Sequence, residues 1–267
     1  MDKIKFGFIG AGNMGSAIIR GIVKGCKDSA EIFVFDPDTS KTDALKELGV
    51  TAVSSGAEAA EKCKYLFLAV KPQMFEDVLG GLKGHISKDN VIVSIAAGIT
   101  EEYIRSMTLP EAKVVLVMPN TPFLLGEGAT ALAKGGFTTE EEFSQVCSVF
   151  GMGGKYAVVP NDKMKEIIAV NGSSPAFIYL FAKHFIDYAS SVGIDAEAAK
   201  ELFAQSLTGS AKMMTDSGYT IDELIKMVSS PGGTTLAGLD ELYKGSFAED
   251  VRKCCESCTR RAYELSK

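Results

Sequence analysis

A chain of 267 residues is long enough to bury a sizeable core and to divide into two domains. With 46% hydrophobic and 23% charged residues it has a globular composition, and no apolar run reaches the roughly 18 residues of a membrane span. A formal charge of −6 argues against broad nucleic-acid binding but leaves room for an anionic small ligand held by local amides.

The first apolar run, Ile4 to Ile9, leads directly into Gly10-Ala11-Gly12-Asn13-Met14-Gly15. It begins so early that no uncleaved targeting segment is expected ahead of it. A short strand feeding three glycines at this spacing predicts a dinucleotide fold. The first glycine allows the tight turn, the second lets a pyrophosphate approach the backbone, and the third permits close helix packing. Met14 to Lys24 is the helix whose free amides would face that pyrophosphate. Gly10, Gly12, Asn13 and Met14 are therefore cofactor-binding candidates.

Glu31 to Phe35 reads as the second strand, followed by Asp36-Pro37-Asp38-Thr39-Ser40 and a helix to about Leu48. Asp36 lies about 20 residues beyond Gly15, where a carboxylate can accept from the adenosine ribose hydroxyls and favour NAD. If Asp36 points away, Thr39, Ser40 and Lys41 can instead surround a 2′-phosphate. Both coenzymes stay open at this point, as does a purely structural role for Asp36 beside Pro37.

Val50 to Val53 is a short strand and Gly56 to Lys62 a short helix. Tyr65 to Val70 is wholly apolar, as expected of a parallel strand covered on both faces. It ends at Lys71-Pro72-Gln73, with the proline suited to the first turn of a helix. Ala69, Val70, Lys71 and Pro72 should border the dinucleotide crevice at the carboxyl end of this strand. Val91 to Ile95 is the next strand, and Ala96-Ala97 beyond it leave room for a flat nicotinamide ring. Thr100 is placed as a helix cap with Glu101 and Glu102 in the first turn. Lys113 to Met118 runs into Pro119-Asn120-Thr121-Pro122, a stiff polar loop that makes Asn120 a further cofactor candidate. Gly128 to Ala133 is an added strand, Thr139 caps another helix, and Lys155 to Val159 closes the domain.

Strand signals vanish from Pro160 onward. Asp162 to Val170 is expected to be helical, with a break at Asn171 to Pro175. Apolar residues from Phe177 to Tyr188 then spread over nearly all faces of a helix, which must be buried on more than one side. Oligomerisation through this half is the economical solution. His184 is a packing residue or a catalytic acid. Asp195 opens a long helix to about Thr215, Thr220 caps a shorter one, and Ser246 starts the last. Between these, Ser229-Ser230-Pro231-Gly232-Gly233-Thr234-Thr235 opens a helix through Tyr243, and its amides and hydroxyls form a natural carboxylate nest. The six cysteines include Cys254, Cys255 and Cys258, but no second pair or histidine completes a metal site, so free thiols, no metal and a reducing, cytoplasmic setting are expected.

Taken together, Gly7 to Gly15, Ala69-Val70-Lys71-Pro72-Gln73, Met118-Pro119-Asn120-Thr121-Pro122, Gly172-Ser173-Ser174-Pro175-Ala176 and Ser230-Pro231-Gly232-Gly233-Thr234-Thr235 closely resemble pyrroline-5-carboxylate reductases over essentially the whole chain. The resemblance implies an α/β fold: a Rossmann-type dinucleotide-binding domain at 1–160, then an all-α dimerisation and substrate-binding domain at 161–267. It implies NADPH as cofactor, with NADH also usable, and reduction of (S)-1-pyrroline-5-carboxylate to L-proline. By resemblance, Ser230, Gly232, Gly233 and Thr234 hold the substrate carboxylate, and Thr235 is the catalytic residue whose hydroxyl bonds the ring nitrogen. A homodimer through the helical domain follows, with a decamer of five dimers as the larger assembly, and neither nucleic acid nor membrane as a partner.

The chain departs from the family's pattern at Ser174, usually glycine, at Phe177, often tyrosine, and at Asn171, usually a small serine. Two rival readings remain. One is a reductase of another imine or hydroxy acid, with Lys183 or Lys212 as proton donor. The other is a dinucleotide-binding regulator without turnover.

Overall fold

The computed structural model describes residues 3–26 and 29–266. By contacts the chain divides into two compact units, one running to Pro175 and regaining the segment from Ser257 onward, the other spanning Ala176–Glu256. The first unit thus reaches past residue 160, because hydrogen bonds tie later segments to it. Asn171 Nδ2 donates to the Met118 carbonyl at 2.7 Å, and Tyr263 Oη donates to Glu166 at 2.9 Å.

The first unit is built on eight strands: β1 (Ile4–Ile9), β2 (Ala30–Phe35), β3 (Thr51–Ala52), β4 (Tyr65–Leu68), β5 (Val91–Ser94), β6 (Lys113–Met118), β7 (Gly128–Lys134) and β8 (Gly154–Val158). They form one sheet in the order β3-β2-β1-β4-β5-β6-β7-β8. All neighbours run parallel except β6 and β7. Helices α1 (Asn13–Cys26), α2 (Thr39–Lys46), α3 (Gly56–Lys62), α4 (Phe75–Gly81), α5 (Glu101–Met107) and α6 (Glu140–Gly151) connect them.

Strands flanked by helices on both faces need apolar side chains on both sides, and β4 and β5 are buried throughout. One core layer takes Phe6, Phe8, Phe67 and Phe150, with Phe8 and Phe67 stacked at 4.6 Å. The opposite layer takes Ile9, Leu66, Leu68, Ile92 and Leu116. Pleat alternation sends successive residues of β4 into the two layers in turn.

Because β1 lies between β2 and β4, the chain leaves the centre of the sheet in both directions. The crevice for a ligand therefore opens at the carboxyl ends of β1 and β4.

Asp162 to Val170 is not one helix, contrary to the expectation from sequence. A 3-10 turn at Asn161–Lys163 is followed by a π-helical turn at Ile168–Gly172, closed by the Ser173 amide donating to the Ile168 carbonyl at 2.8 Å. The wider turn swings Asn171 inward, where it is 8% exposed.

The second unit consists of α7 (Ser174–Ser191, whose first residues belong to the first unit), α8 (Ala196–Asp216), α9 (Ile221–Met227), α10 (Thr234–Lys244) and most of α11 (Phe247–Glu264). Asp195 and Thr220 cap α8 and α9 as the sequence suggests. Phe181, Phe185 and Phe203 cluster, with Phe185 and Phe203 stacked at 4.5 Å. Around that cluster Tyr179, Tyr188 and Leu202 remain more than 60% exposed, and α8 buries none of its residues.

Candidate functional site

At the head of the crevice the three glycines do different work. Gly10 has φ +101, and a Cβ there would stand 2.4 Å from the Ala69 carbonyl oxygen. At Gly15 a Cβ would stand 2.4 Å from the Gly10 oxygen. At Gly12 it would meet nothing within 4 Å. The outer two glycines are thus required by the fold, whereas the open space over Gly12 is where a ligand's phosphates can reach the backbone. Hydrogen bonds from Gly10 N to Phe35 O and from Ala69 N to Ile9 O, both 2.8 Å, anchor the turn between its neighbouring strands.

A cleft of about 480 Å³ begins at Ala11, Gly12 and Asn13 and runs along α1 past Ser16, Arg20 and Lys24. Lys41 and the residues Phe123 to Gly126 form further parts of its wall. Negative phosphates would meet there both the amide end of α1 and three cationic side chains. Arg20 and Lys24 went unnoticed in the sequence, although Ser16, Arg20 and Lys24 recur at intervals of four downstream of the glycine turn, on one helix face. A second cavity of about 330 Å³ lies at the ends of β5 and β6, lined by Ala96, Gly98, Met118 and Lys165.

Most of the cofactor candidates converge on this edge. Ala69, Val70, Lys71 and Pro72 follow β4, Ala96 and Ala97 follow β5, and all six keep some exposure. Lys71 precedes a 3-10 turn that opens with Pro72.

Asn120 is the exception. Its Nδ2 donates to Asn171 O at 3.2 Å, its Oδ1 accepts from Ala129 N at 2.9 Å, and it is 7% exposed. That side chain braces the loop through one donated and one accepted hydrogen bond, which fix its orientation. The Ser174 hydroxyl is likewise turned inward, donating to Asn171 O at 3.3 Å.

Asp36 is also held by its own chain. Its Oδ2 accepts from the Ala11 amide at 2.8 Å and its Oδ1 from the Asp38 amide at 2.9 Å. Lys41 Nζ stands 3.5 Å from Asp36 and 3.6 Å from Asp38. The Ser40 hydroxyl and amide, with Lys41, hold the Asp38 carboxyl below its ordinary range.

In the second unit, Ser230 to Thr235 form a turn closed by Gly233 N donating to Ser230 O at 2.9 Å, with Gly232 at φ +72. Gly233 occupies the cap position of α10 and offers no side-chain cap, so the first amides of this 11-residue helix face outward uncapped. Ser230, Thr234 and Thr235 are exposed around them. His184 is exposed on α7, and all six thiols are free.

Comparison with known proteins agrees with both halves. Residues 161–265 match the family model for pyrroline-5-carboxylate reductase dimerisation, and residues 5–98 match that for NADP oxidoreductase, coenzyme F420-dependent. The pyrroline-5-carboxylate reductase of Escherichia coli is 34% identical over 100% of both chains. The crystal structure of a Plasmodium falciparum pyrroline carboxylate reductase with NADP bound superposes with a TM-score of 0.87 at 30% identity, covering 100% of both chains. The structure of a Coxiella burnetii pyrroline-5-carboxylate reductase reaches a TM-score of 0.93 at 29% identity, again over 100% of both chains.

Proposed function

This chain belongs to the pyrroline-5-carboxylate reductase family, and on that premise we propose how its own residues divide the work. It is an NAD(P)H-dependent oxidoreductase that reduces (S)-1-pyrroline-5-carboxylate to L-proline in proline biosynthesis. The observation that carries the assignment of roles is the presence of two glycine-bearing helix starts in one chain. The α1 start lies under open space at Gly12, and the α10 start carries exposed hydroxyls. Each suits one anionic group, a pyrophosphate and a carboxylate respectively.

When bound, the reduced nicotinamide supplies a hydride to the imine carbon. The amides near Gly12 hold the pyrophosphate, Arg20 and Lys24 make the cleft along α1 positive, and Ala96 and Ala97 leave space for the ring. Ser230, Gly232, Gly233 and Thr234 hold the substrate carboxylate by amides and hydroxyls. Thr235 Oγ1 bonds the ring nitrogen, orienting it and favouring its protonated, more electrophilic form. An ordinary hydroxyl is a weak acid, so water supplies the proton. Catalysis then rests on placing the two reactants and on fixed dipoles.

Residues 161–265 carry the dimerisation module, and the exposed apolar faces of α7 and α8 fit its burial against a second copy. Assembly into a decamer of five dimers is the larger form we propose, and the six free thiols accord with a cytoplasmic setting. The test is reduction of pyrroline-5-carboxylate by the purified protein, followed by loss of reduced-coenzyme absorbance together with identification of proline. Tight coenzyme binding without proline formation would favour the regulator reading.

A further inference from the structure

The last turns of α11 belong to the first unit and lie against the turn that follows β5. We propose, on the reading above that the nicotinamide ring lies over Ala96 and Ala97, that Tyr263 is a positioning residue for hydride transfer. Through Glu166 it fixes the end of α11 as the backstop of that turn.

The turn has little of its own to hold it. Ile95 N donates to Leu68 O at 3.3 Å, but beyond it Ala96, Ala97 and Gly98 make no backbone hydrogen bond to any of the described residues. Packing holds them instead. Gly98 has φ +80, and a Cβ there would stand 3.3 Å from the Ala262 carbonyl oxygen and 3.6 Å from the Leu265 carbonyl. Ala262 is 7% exposed, in the same apolar cluster against which Ala96 packs. A displacement of the end of α11 is therefore passed to the floor under the ring.

Polar contacts set where that end lies. Tyr263 Oη donates to Glu166 Oε1 at 2.9 Å, Lys165 Nζ stands 4.6 Å from the centre of the Tyr263 ring, and the Cys258 thiol meets the Ser173 hydroxyl at 3.3 Å. The first two contacts reach the cavity wall: Met164 and Lys165 line the 330 Å³ cavity together with Ala96 and Gly98. Tyr263 thus ties the segment behind the turn to the segment beside the cavity. Glu166 Oε2 is buried without a partner, and the Tyr263 hydroxyl is the sole donor to this carboxylate among the described residues. Removing that hydroxyl leaves the carboxylate to turn toward water and releases the end of α11. Hydride transfer is the step that registers the change, since a misplacement of about 1 Å can cost roughly 100-fold in rate.

The test is single-turnover oxidation of bound reduced coenzyme by pyrroline-5-carboxylate, on the full-length protein as wild type, Tyr263→Phe, Glu166→Ala, Glu166→Gln and Ala97→Leu. The rate constant reports placement of the ring, whereas the amplitude reports how many molecules are active. Tyr263→Phe and Glu166→Ala should each lower the rate constant roughly 3- to 10-fold at wild-type amplitude, with coenzyme affinity changed less than about twofold. Glu166→Gln still offers an oxygen to the Tyr263 hydroxyl and should keep the wild-type rate. A wild-type rate in Tyr263→Phe, a loss confined to amplitude, or a loss in Glu166→Gln as large as in Glu166→Ala would each overturn the positioning role. Ala97→Leu fills the space given to the ring and should lower the rate at least about tenfold. An Ala97→Leu rate equal to wild type, or a wild type that binds coenzyme without oxidising it, would instead overturn the underlying reading, and this inference with it.

Discussion

Asn120 and Asn171 grip the two polar groups of one residue: Asn120 Oδ1 accepts the Ala129 N–H at 2.9 Å, and Asn171 Nδ2 donates to the Ala129 carbonyl at 3.2 Å. The pair also joins directly, Asn120 Nδ2 to Asn171 O at 3.2 Å, and Asn171 Nδ2 reaches the end of β6 at Met118 O. Replacing Asn171 by alanine should leave the buried Met118 carbonyl and the part-buried Ala129 carbonyl each short of a donor. The expected loss is about 2–4 kcal/mol of unfolding free energy, read by denaturant melts. A loss below about 0.5 kcal/mol would mean that the clamp is not needed.

The glycines make a contrasting pair. Gly10→Ala combines a φ of +101 with a Cβ 2.4 Å from a backbone oxygen, and should cost about 3 kcal/mol or more of stability. Gly12→Ala meets nothing, so it should fold with a nearly unchanged melt yet bind both coenzymes far more weakly. Equal destabilisation of the two variants would contradict this division.

Thr235→Ala should lower kcat roughly 10- to 100-fold with coenzyme affinity unchanged, because the hydroxyl is asked for one hydrogen bond at the reacting ring. Steady-state kinetics with both substrates varied, together with a coenzyme titration, would separate the outcomes. An unchanged kcat removes Thr235 from catalysis.

Glu142 sets an acid dependence. Burial opposes its charge, but Lys113 at 2.7 Å and the Thr139 amide outweigh it and hold the carboxyl below its usual 4.5. A lowered folded-state pKa means that stability from this group is fully present above the unfolded value and is lost as pH falls through the folded one. Glu142→Gln should therefore be about 1–3 kcal/mol less stable than wild type at neutral pH, and the two should converge in acid. Parallel denaturation curves at several pH values would show it, and a gap that persists at the lowest pH would count against the charge as its source.

The second unit predicts its own association. Tyr179, Tyr188 and Leu202 are each more than 60% exposed around the Phe185–Phe203 stack, and a stable monomer would leave that apolar face in water. Sedimentation should find a dimer or a larger even-numbered assembly at micromolar concentration; a monomer would be the contrary result.

Much of this was written in local pattern. Apolar runs of four to six residues fixed the central strands to within two residues, since a doubly covered strand has no polar face to hide it. Thr and Asp residues marked where α5, α6, α8 and α9 begin because capping is a contact within one turn. The glycine spacing and the Ser230 to Thr235 loop marked, for the same reason, the two helix starts that we propose as ligand regions.

What the tertiary structure decided lies in contacts between segments distant in the chain. Asn120 reads in sequence only as part of a stiff polar loop; the fold brings it to Asn171, 51 positions away, and gives it a bracing role. Asp36 could face a ribose or a turn until the Ala11 amide, 25 positions back, pinned it. The π-helical turn at Ile168–Gly172 has no periodic signature, because it exists to deliver Asn171 into the sheet edge. Periodicity and capping are read from neighbours in sequence, whereas the partner of a buried polar group is chosen by whatever the completed fold sets beside it.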